Sequence, residues 1–378
     1  MKAIVAMSGG VDSSVAAYLL KKQGVQVIGI SFELWDKRDL TNSNVCCSIE
    51  TIELAKSVAD KLGIEHYTVD VRDAFYRHVI EDFCASYIEG ITPNPCILCN
   101  KYIKFDFLLK KAEELGAEVV ATGHYARIGK RQNTEHKAQN SELRTQITDK
   151  EEEAAGRERV LLQKGLDPKK DQSYVLYVMK QEELSKTVFP LGEMRKEETR
   201  AIAGELGLAT ALRAESQEIC FVGDDKYADF IKGFSPESVR PGPIINTSGK
   251  VIGEHKGIAF YTIGQRKGLG ISSLKPHYVA DINRKSNTVI VGSREDAMKK
   301  NFKVRELNWI SIDFLSTPLS ANVKIRSTTK EMPAIISPAE NGKVIVEFEK
   351  PQWAPAPGQS AVFYSGDVVI GGGIIEWL

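Results

Sequence analysis

Apolar residues cluster in a short run over residues 2–7 and again over 27–32. Between these runs Val15, Ala16, Leu19 and Leu20 recur at spacings of three and four, which predicts a helix with one buried face. Gly24 then stands where a helix C-terminal cap belongs. A second helical pattern covers 49–62 and ends before Gly63, while 66–71 and 118–123 read as strands. Strand, helix and strand in this order predict an α/β fold: a parallel sheet with helices on both faces.

The pattern breaks over 129–158, a polar and charged stretch nearly free of large apolar groups. It buries too little surface to offset the entropy of ordering, so a flexible insertion between two strands is expected. Helical spacing returns over 176–208. From about Pro241 glycine and proline recur and short strands are expected at 251–253, 278–282, 288–291, 321–325, 344–348, 360–364 and 368–370. The chain thus divides into an α/β domain over 1–225, a small β-rich domain over 226–292 and a β-barrel over 293–378. A chain of 378 residues is longer than one core usually serves.

Composition adds constraints. Apolar residues make up 42% and charged residues 26%, ordinary for a globular chain. No apolar run reaches about 18 residues, and the N-terminus enters a strand without a secretory pattern, so a cytoplasmic protein is expected. The formal net charge is zero, which by itself does not suggest nucleic acid. Charge clusters locally over 164–170, at Arg195-Lys196 and at Arg266-Lys267; the ordinary reading of such clusters is a solvated face. The six cysteines are too few for a disulfide scaffold in so long a chain. Clustered ones become candidates for catalysis or metal binding, while Cys46, Cys47 and Cys84 are assigned to packing. Cys46-Cys47, before a helix, keep a redox role as the alternative.

The string Ser8-Gly9-Gly10-Val11-Asp12-Ser13-Ser14 sits between the first strand and the first helix. A Gly-rich turn there leaves backbone N–H groups aimed at one spot, where the helix dipole favours an anion. Gly9 and Gly10 permit close backbone approach, the serines add hydroxyl donors, and Asp12 would hold Mg²⁺ or order the loop. The loop lacks the Gly-Lys-Ser/Thr ending of a Walker A motif and is not Gly-x-Gly-x-x-Gly. It resembles the signature of the ATP pyrophosphatase (PP-loop) enzymes.

A second informative stretch is TPNPCILCNKYIKF over 92–105. Its prolines stiffen the chain ahead of a helix expected from about Tyr102. Cys99, near that helix start and close to Lys101, would have its thiolate favoured. Cys220 lies far away in ESQEICFV, and nothing in the spacing proves that the two meet. With SGGVDSS, ATGHYAR, KKDQSY and YTIGQRKGLG, in this order, the strings resemble the bacterial tRNA-specific 2-thiouridylase family over the whole length, the polar stretch being the main departure.

The resemblance implies that ATP adenylates the C2 oxygen of the wobble uridine of tRNA and that a cysteine persulfide replaces the resulting AMP. By motif position Cys220 carries the persulfide, and Cys99 is the partner nucleophile that forms a disulfide with it as sulfur leaves. Ala6, Met7, Ser8, Gly9, Gly10, Val11, Asp12 and Ser13 would hold ATP, bordered by Phe32 and Gly123. Asn94, Pro95 and Cys96 would face the target base. His124, Lys170, Asp171, Gln172, Arg326, Ser327 and Gln359 would lie near tRNA; outside the motifs His124 and Phe32 read as structural, and Arg326 and Gln359 as surface. Implied cofactors are ATP and Mg²⁺. Implied partners are the tRNA anticodon stem-loop and a persulfide donor protein, with the enzyme a monomer and no membrane involved. Many relatives carry Asp where Cys96 stands, so Cys96, Cys99 and Cys220 are also a three-thiolate set for a [4Fe-4S] cluster, the alternative to a persulfide relay. Other PP-loop classes, such as 4-thiouridine synthase, GMP synthetase or argininosuccinate synthase, share the loop, but the ligases need no catalytic cysteine. A non-catalytic tRNA-binding module is disfavoured by the intact loop, Cys99 and Cys220.

Overall fold

The computed structural model describes residues 1–34, 49–130, 159–211, 213, 219–222 and 227–377. Cys46, Cys47, residues 131–158 of the polar stretch and residues 214–218 lie outside the described residues.

Strand β1 (Lys2–Ala6) is central in a parallel sheet, flanked by β2 (Gln26–Glu33) and β4 (Val119–Ala121). β3 (Glu65–Asp70) and a two-residue strand β7 (Thr187–Val188) complete the order β3-β2-β1-β4-β7. β1 is apolar throughout because both its faces are covered. Ile4 packs with Ile28, Ile30 and Phe75 on one face, whereas Ala3 and Val5 pack with Val15, Ala16 and Ala203 on the other. The second face is covered by α1 (Val11–Lys22) and α2 (Ile49–Leu62), the two helices the spacing predicts.

The first face carries α3 (Arg72–Phe75), a π-helical turn and α4 (Glu81–Ile88), then α5 (Pro95–Cys99), a second π-helical turn (Asn100–Lys104) and α6 (Phe105–Glu114). Helix therefore begins at Pro95 rather than near Tyr102. Asn94 is the N-cap residue and Pro95 occupies the first turn, where a missing N–H costs nothing. The region 176–208 is likewise not one helical run. It holds α7 (Ser173–Leu176), α8 (Gln181–Ser185), β7 and α9 (Lys196–Glu205), with Pro190 and Gly192 in the connection between β7 and α9. A further helix, α10 (Tyr227–Phe234), comes next.

A hairpin of β5 (Ala126–Lys130) and β6 (Val160–Lys164) flanks the polar stretch, so Gly129 and Lys130 belong to a strand. This hairpin joins the C-terminal sheet through Val368 opposite Gln163. The middle of the chain forms a four-stranded sheet from β8 (Gly242–Asn246), β9 (Val251–His255), β10 (Tyr278–Asn283) and β11 (Thr288–Gly292). The last part contains β12 (Met298–Trp309), β13 (Leu319–Lys324), β14 (Met332–Pro338), β15 (Val344–Trp353), β16 (Ser360–Ser365) and β17 (Val368–Glu376). These six antiparallel strands close into a barrel because β12 pairs with β17 as well as with β15. Phe302, Val304, Phe348 and Phe363 belong to the barrel's hydrophobic core. Among the described residues no helix is long and apolar enough to cross a membrane.

Candidate active site

The loop after β1 has the geometry of an anion cradle. Gly10 is the N-cap of α1 and no side chain caps that end, so the first-turn N–H groups have no intrahelical partner. Gly9 sits at φ +66°, and a Cβ there would lie 2.3 Å from the carbonyl oxygen of Thr51. Ser13 Oγ donates to Gly10 O at 3.1 Å and accepts from Ser8 N at 3.2 Å, which ties the loop to its own helix. Gly123, just past β4, abuts the same helix start. A Cβ on it would lie 2.7 Å from the backbone of both Asp12 and Ser13.

The loop forms one wall of a cavity of about 540 Å³. Ala6, Met7, Ser8, Gly10, Val11 and Asp12 line it, as does Phe32 from β2. Pro95, Cys96 and Cys99 enter from α5, and Cys220 from the segment after Arg213. Cys96 and Cys99 are three apart on one helix and so share a face. Cys96 is exposed, whereas Cys99 is 7% exposed and belongs to the apolar cluster against which Cys220 packs. The fold thus unites at one cavity the two cysteines that sequence spacing could not connect. Cys84 is fully buried in the same cluster, and burial pushes its thiol up to about 12, which suits packing and not nucleophilic chemistry.

Five basic side chains line this cavity among the described residues: Lys104, Lys169, Lys170, Lys196 and Arg213, against the acids Asp12 and Asp171. Lys196 corrects the solvated-face reading, since it is only 5% exposed. Its Nζ lies 2.7 and 2.8 Å from the Asp12 carboxylate, which also accepts the Tyr125 hydroxyl at 2.9 Å. Asp12 therefore orders the loop through Lys196. Arg213 donates to Gly9 O at 3.0 Å. Lys196 reaches the loop because the Asp167 carboxylate accepts the Lys196 backbone N–H at 3.1 Å, anchoring the start of α9.

Three descriptions of known families cover most of the chain. Residues 1–224 match the tRNA methyl transferase HUP domain, 228–293 the tRNA methyl transferase PRC-barrel domain, and 299–375 the aminomethyltransferase beta-barrel domain. The chain is 49% identical to tRNA-specific 2-thiouridylase MnmA 1 of Caldanaerobacter subterraneus subsp. tengcongensis, across 99% of this chain and 98% of that one. It is 47% identical to tRNA-specific 2-thiouridylase MnmA of Clostridium perfringens, across 100% and 99%. The chain belongs to the tRNA-specific 2-thiouridylase family. Among solved structures a 4-thiouridine synthetase–RNA complex with bound ATP aligns over 63% of this chain and 51% of that one, at 16% identity and a TM-score of 0.33, too distant to argue from.

Of the remaining residues implied by likeness to the thiouridylases, Lys170, Asp171 and Gln172 line the cavity, whereas His124, Arg326, Ser327 and Gln359 are not in its lining. Lys170 lines the cavity, and its neighbours shape the loop that presents it. Asp171 accepts from the N–H groups of Gly165 and Ser173, and Gln172 exchanges two hydrogen bonds with the backbone of Tyr125. His124 is 8% exposed, hydrogen-bonded to Thr122 at 2.7 Å and packed near Phe105 and Phe189. Burial, reinforced by Lys104, holds its imidazole well below the ordinary value, so it is neutral. Arg326 Nη2 donates to Ile263 O and Ala354 O, joining the middle sheet to the barrel, and Ser327 beside it is exposed. Gln359 Nε2 donates to Thr92 O and Pro93 O.

Lys196, Arg213, Lys104 and Tyr125 are cavity residues that sequence reasoning missed. Lys104 and Tyr125 stand inside the strings TPNPCILCNKYIKF and ATGHYAR, whereas for Lys196 the signal was the Arg195-Lys196 pair, and nothing local connects it to a loop 184 residues earlier. A cluster site does not follow from the shared cavity: among the described residues no group of three His, Cys, Asp or Glu side chains is placed to hold a metal ion. No step is assigned to a [4Fe-4S] cluster on Cys96, Cys99 and Cys220.

Proposed function

We propose that this protein is an ATP-dependent tRNA-uridine 2-sulfurtransferase acting on the wobble uridine of the anticodon stem-loop through a cysteine persulfide. The observation that carries the reading is the single cavity, which holds the phosphate loop, Cys99 and Cys220 together. Its membership in the thiouridylase family supports the same chemistry.

ATP enters as its Mg²⁺ complex with its phosphates on the loop and on Lys196 and Arg213. The uracil C2 oxygen attacks the α-phosphorus, and pyrophosphate leaves. Neighbouring cations favour that step because negative charge builds on the leaving group. The terminal sulfur of a Cys220 persulfide then attacks C2, and AMP departs with the former C2 oxygen. Cys99 thiolate attacks the Cys220 sulfur, which breaks the bond to the transferred sulfur and leaves 2-thiouridine and a Cys99–Cys220 disulfide. A dithiol reductant must reopen that disulfide, and a persulfide-bearing donor protein must reload Cys220. Cys96 is exposed and lines the cavity with Pro95, and in this reading it meets the base together with Asn94 and Pro95. We further assign the enzyme to the cytoplasm as a monomer, the middle sheet and barrel serving as tRNA clamps.

The test incubates the protein with unmodified tRNA, Mg·ATP and a persulfide source, and resolves thiolated tRNA on a mercury gel. Wild type is expected to retard the tRNA band. Cys220→Ser is expected to abolish thiolation while still releasing pyrophosphate when tRNA is present, since adenylation precedes sulfur transfer. Normal thiolation by Cys220→Ser would remove the persulfide from Cys220.

A further inference from the structure

Three of the described thiols line the cavity, and they differ in how far the outside can reach them. Cys96 is exposed, Cys220 is half-buried, and Cys99 is 7% exposed within an apolar cluster that includes Phe75, Val79 and Ile103. Phe221, beside Cys220, is buried edge-to-face against Phe75 and Phe83, at centroid distances of 5.6 and 5.1 Å. A disulfide between Cys99 and Cys220 therefore forms at the inner wall of the cavity. A protein reductant must bring its own sulfur into line with that bond, and a second protein surface does not enter a cavity of about 540 Å³.

Cys96 offers another way in. It stands three residues before Cys99 on α5, on the same helix face. Cβ atoms at that spacing lie about 5–6 Å apart, whereas a disulfide needs about 3.5–4.5 Å, so the turn has to tighten by about 1–2 Å. The backbone there already leans that way. Ile97 N donates to Asn94 O at 3.2 Å, an i→i+3 bond of the tighter kind, and the Asn100 N–H is shared between Cys96 O and Ile97 O. In 3₁₀ winding, residues three apart eclipse, which brings the two sulfurs over one another.

We propose that Cys96 is the resolving cysteine of the sulfur-transfer cycle: it moves the disulfide left by turnover from the cavity wall to an exposed Cys96–Cys99 pair. The Cys96 thiolate attacks Cys99 Sγ, the Cys99–Cys220 bond breaks, and Cys220 leaves as a thiolate that takes up the proton Cys96 gave up. One S–S bond replaces another, so this step consumes neither oxidant nor reductant. A dithiol reductant then attacks the exposed Cys96 sulfur, gives up two electrons and departs as a disulfide, leaving Cys96 and Cys99 reduced. Cys220 is by then open to its persulfide donor. The exchange follows departure of the thiolated tRNA, so Cys96 meets the base and resolves the disulfide at different stages. The place of this step in a cycle rests on the sulfurtransferase reading; the exchange among the three thiols does not.

The experiment has two arms and uses the full chain. In the first, without tRNA or ATP, wild type and Cys96→Ser are equilibrated in a dithiothreitol redox buffer, quenched with acid and alkylated, and their disulfides are assigned by mass spectrometry. Wild type is expected to hold mainly Cys96–Cys99, and Cys96→Ser to hold Cys99–Cys220. The oxidised proteins are then reduced with thioredoxin. Wild type is expected to react about tenfold faster or more, and the gap to shrink with a small phosphine that can enter the cavity. In the second arm, wild type loaded with a Cys220 persulfide makes one turnover on tRNA and Mg·ATP without reductant. Cys99–Cys220 is expected to appear with the thiolated tRNA and then to give way to Cys96–Cys99. Absence of Cys96–Cys99 from the first arm, its absence from the second once tRNA is thiolated, or equal thioredoxin rates for the two proteins would overturn the proposal. If no tRNA is thiolated, the sulfurtransferase reading fails, while the first arm still decides the exchange. Should Cys96→Ser not fold, Cys96→Ala carries the same comparison.

Discussion

Lys196 supplies, from a distant helix, the cation that the loop itself lacks. A Walker loop carries its lysine in the motif; here Asp12, in the first turn of α1, recruits Lys196 from α9. Lys196 is nearly buried, yet it lines the cavity and is compensated by Asp12. A charge buried this deeply needs its partner, and the same charge is available to a polyphosphate. Lys196→Met keeps most of the bulk and removes the charge. A hydrogen bond to a charged group contributes about 1.5–3 kcal/mol, so KM for ATP is expected to rise on the order of ten- to hundred-fold. KM for tRNA should change little, and Lys196→Arg should restore part of the ATP affinity. An unchanged ATP affinity in a folded Lys196→Met protein would leave the lysine with a purely structural task. The loop, Cys99 and Cys220 are legible in the sequence because each stands inside a string of distinctive neighbours. Lys196 is not, because its partner comes from another part of the chain and only folding joins them.

At the scale of elements, the site depends on how closely β4 meets α1. The backbone after β4 passes the first turn of α1 with no room for a side chain at Gly123. Gly123→Ala would drive one backbone against another, and neither is a flexible side-chain tip that can swing aside. Over-packing of this kind costs about 1–3 kcal/mol, and here the strain falls on the phosphate loop. A lower melting temperature with weaker ATP binding is expected; a variant with wild-type ATP affinity would show that the loop and β4 move independently. The elements differ in how far they could be read in advance. β1 and α1 announce themselves because burial forces clear apolar runs and helical spacing. β12 is long and paired on both sides, yet its sequence is dominated by charge and is broken by bulges near Asn301 and Asn308. Only a few of its residues, such as Phe302 and Val304, belong to the barrel core, so alternation is faint. β14 begins and ends beside prolines, which argue against a strand until the barrel supplies its partners. The start of α5 was hidden for a related reason: two prolines read as a stiff lead-in, whereas one of them opens the helix.

For the molecule as a whole, a net charge of zero conceals an uneven distribution. Lys104, Lys169, Lys170, Lys196 and Arg213 converge on one cavity that holds only two acids among its described lining residues. Low-dielectric walls concentrate such a field, and RNA approaching the cavity meets it regardless of the distant acids that balance the total. Affinity for tRNA should then depend on displaced counterions, with log K falling by roughly 0.7 per neutralised phosphate for each decade of salt. Contacts to about three phosphates give a slope near −2, so raising salt from about 50 to 200 mM should weaken binding by about tenfold or more. Lys196 and Arg213 are tied to the loop, which leaves Lys104, Lys169 and Lys170, and the two adjacent lysines are the proposed contacts to the RNA backbone. Lys169→Ala and Lys170→Ala are each expected to make the slope shallower by about 0.7 and to weaken all tRNA substrates alike. ATP affinity should hold, because the loop is untouched. A slope near zero in the wild-type protein would mean that tRNA is held by shape and stacking, and that the converging charges serve the nucleotide alone.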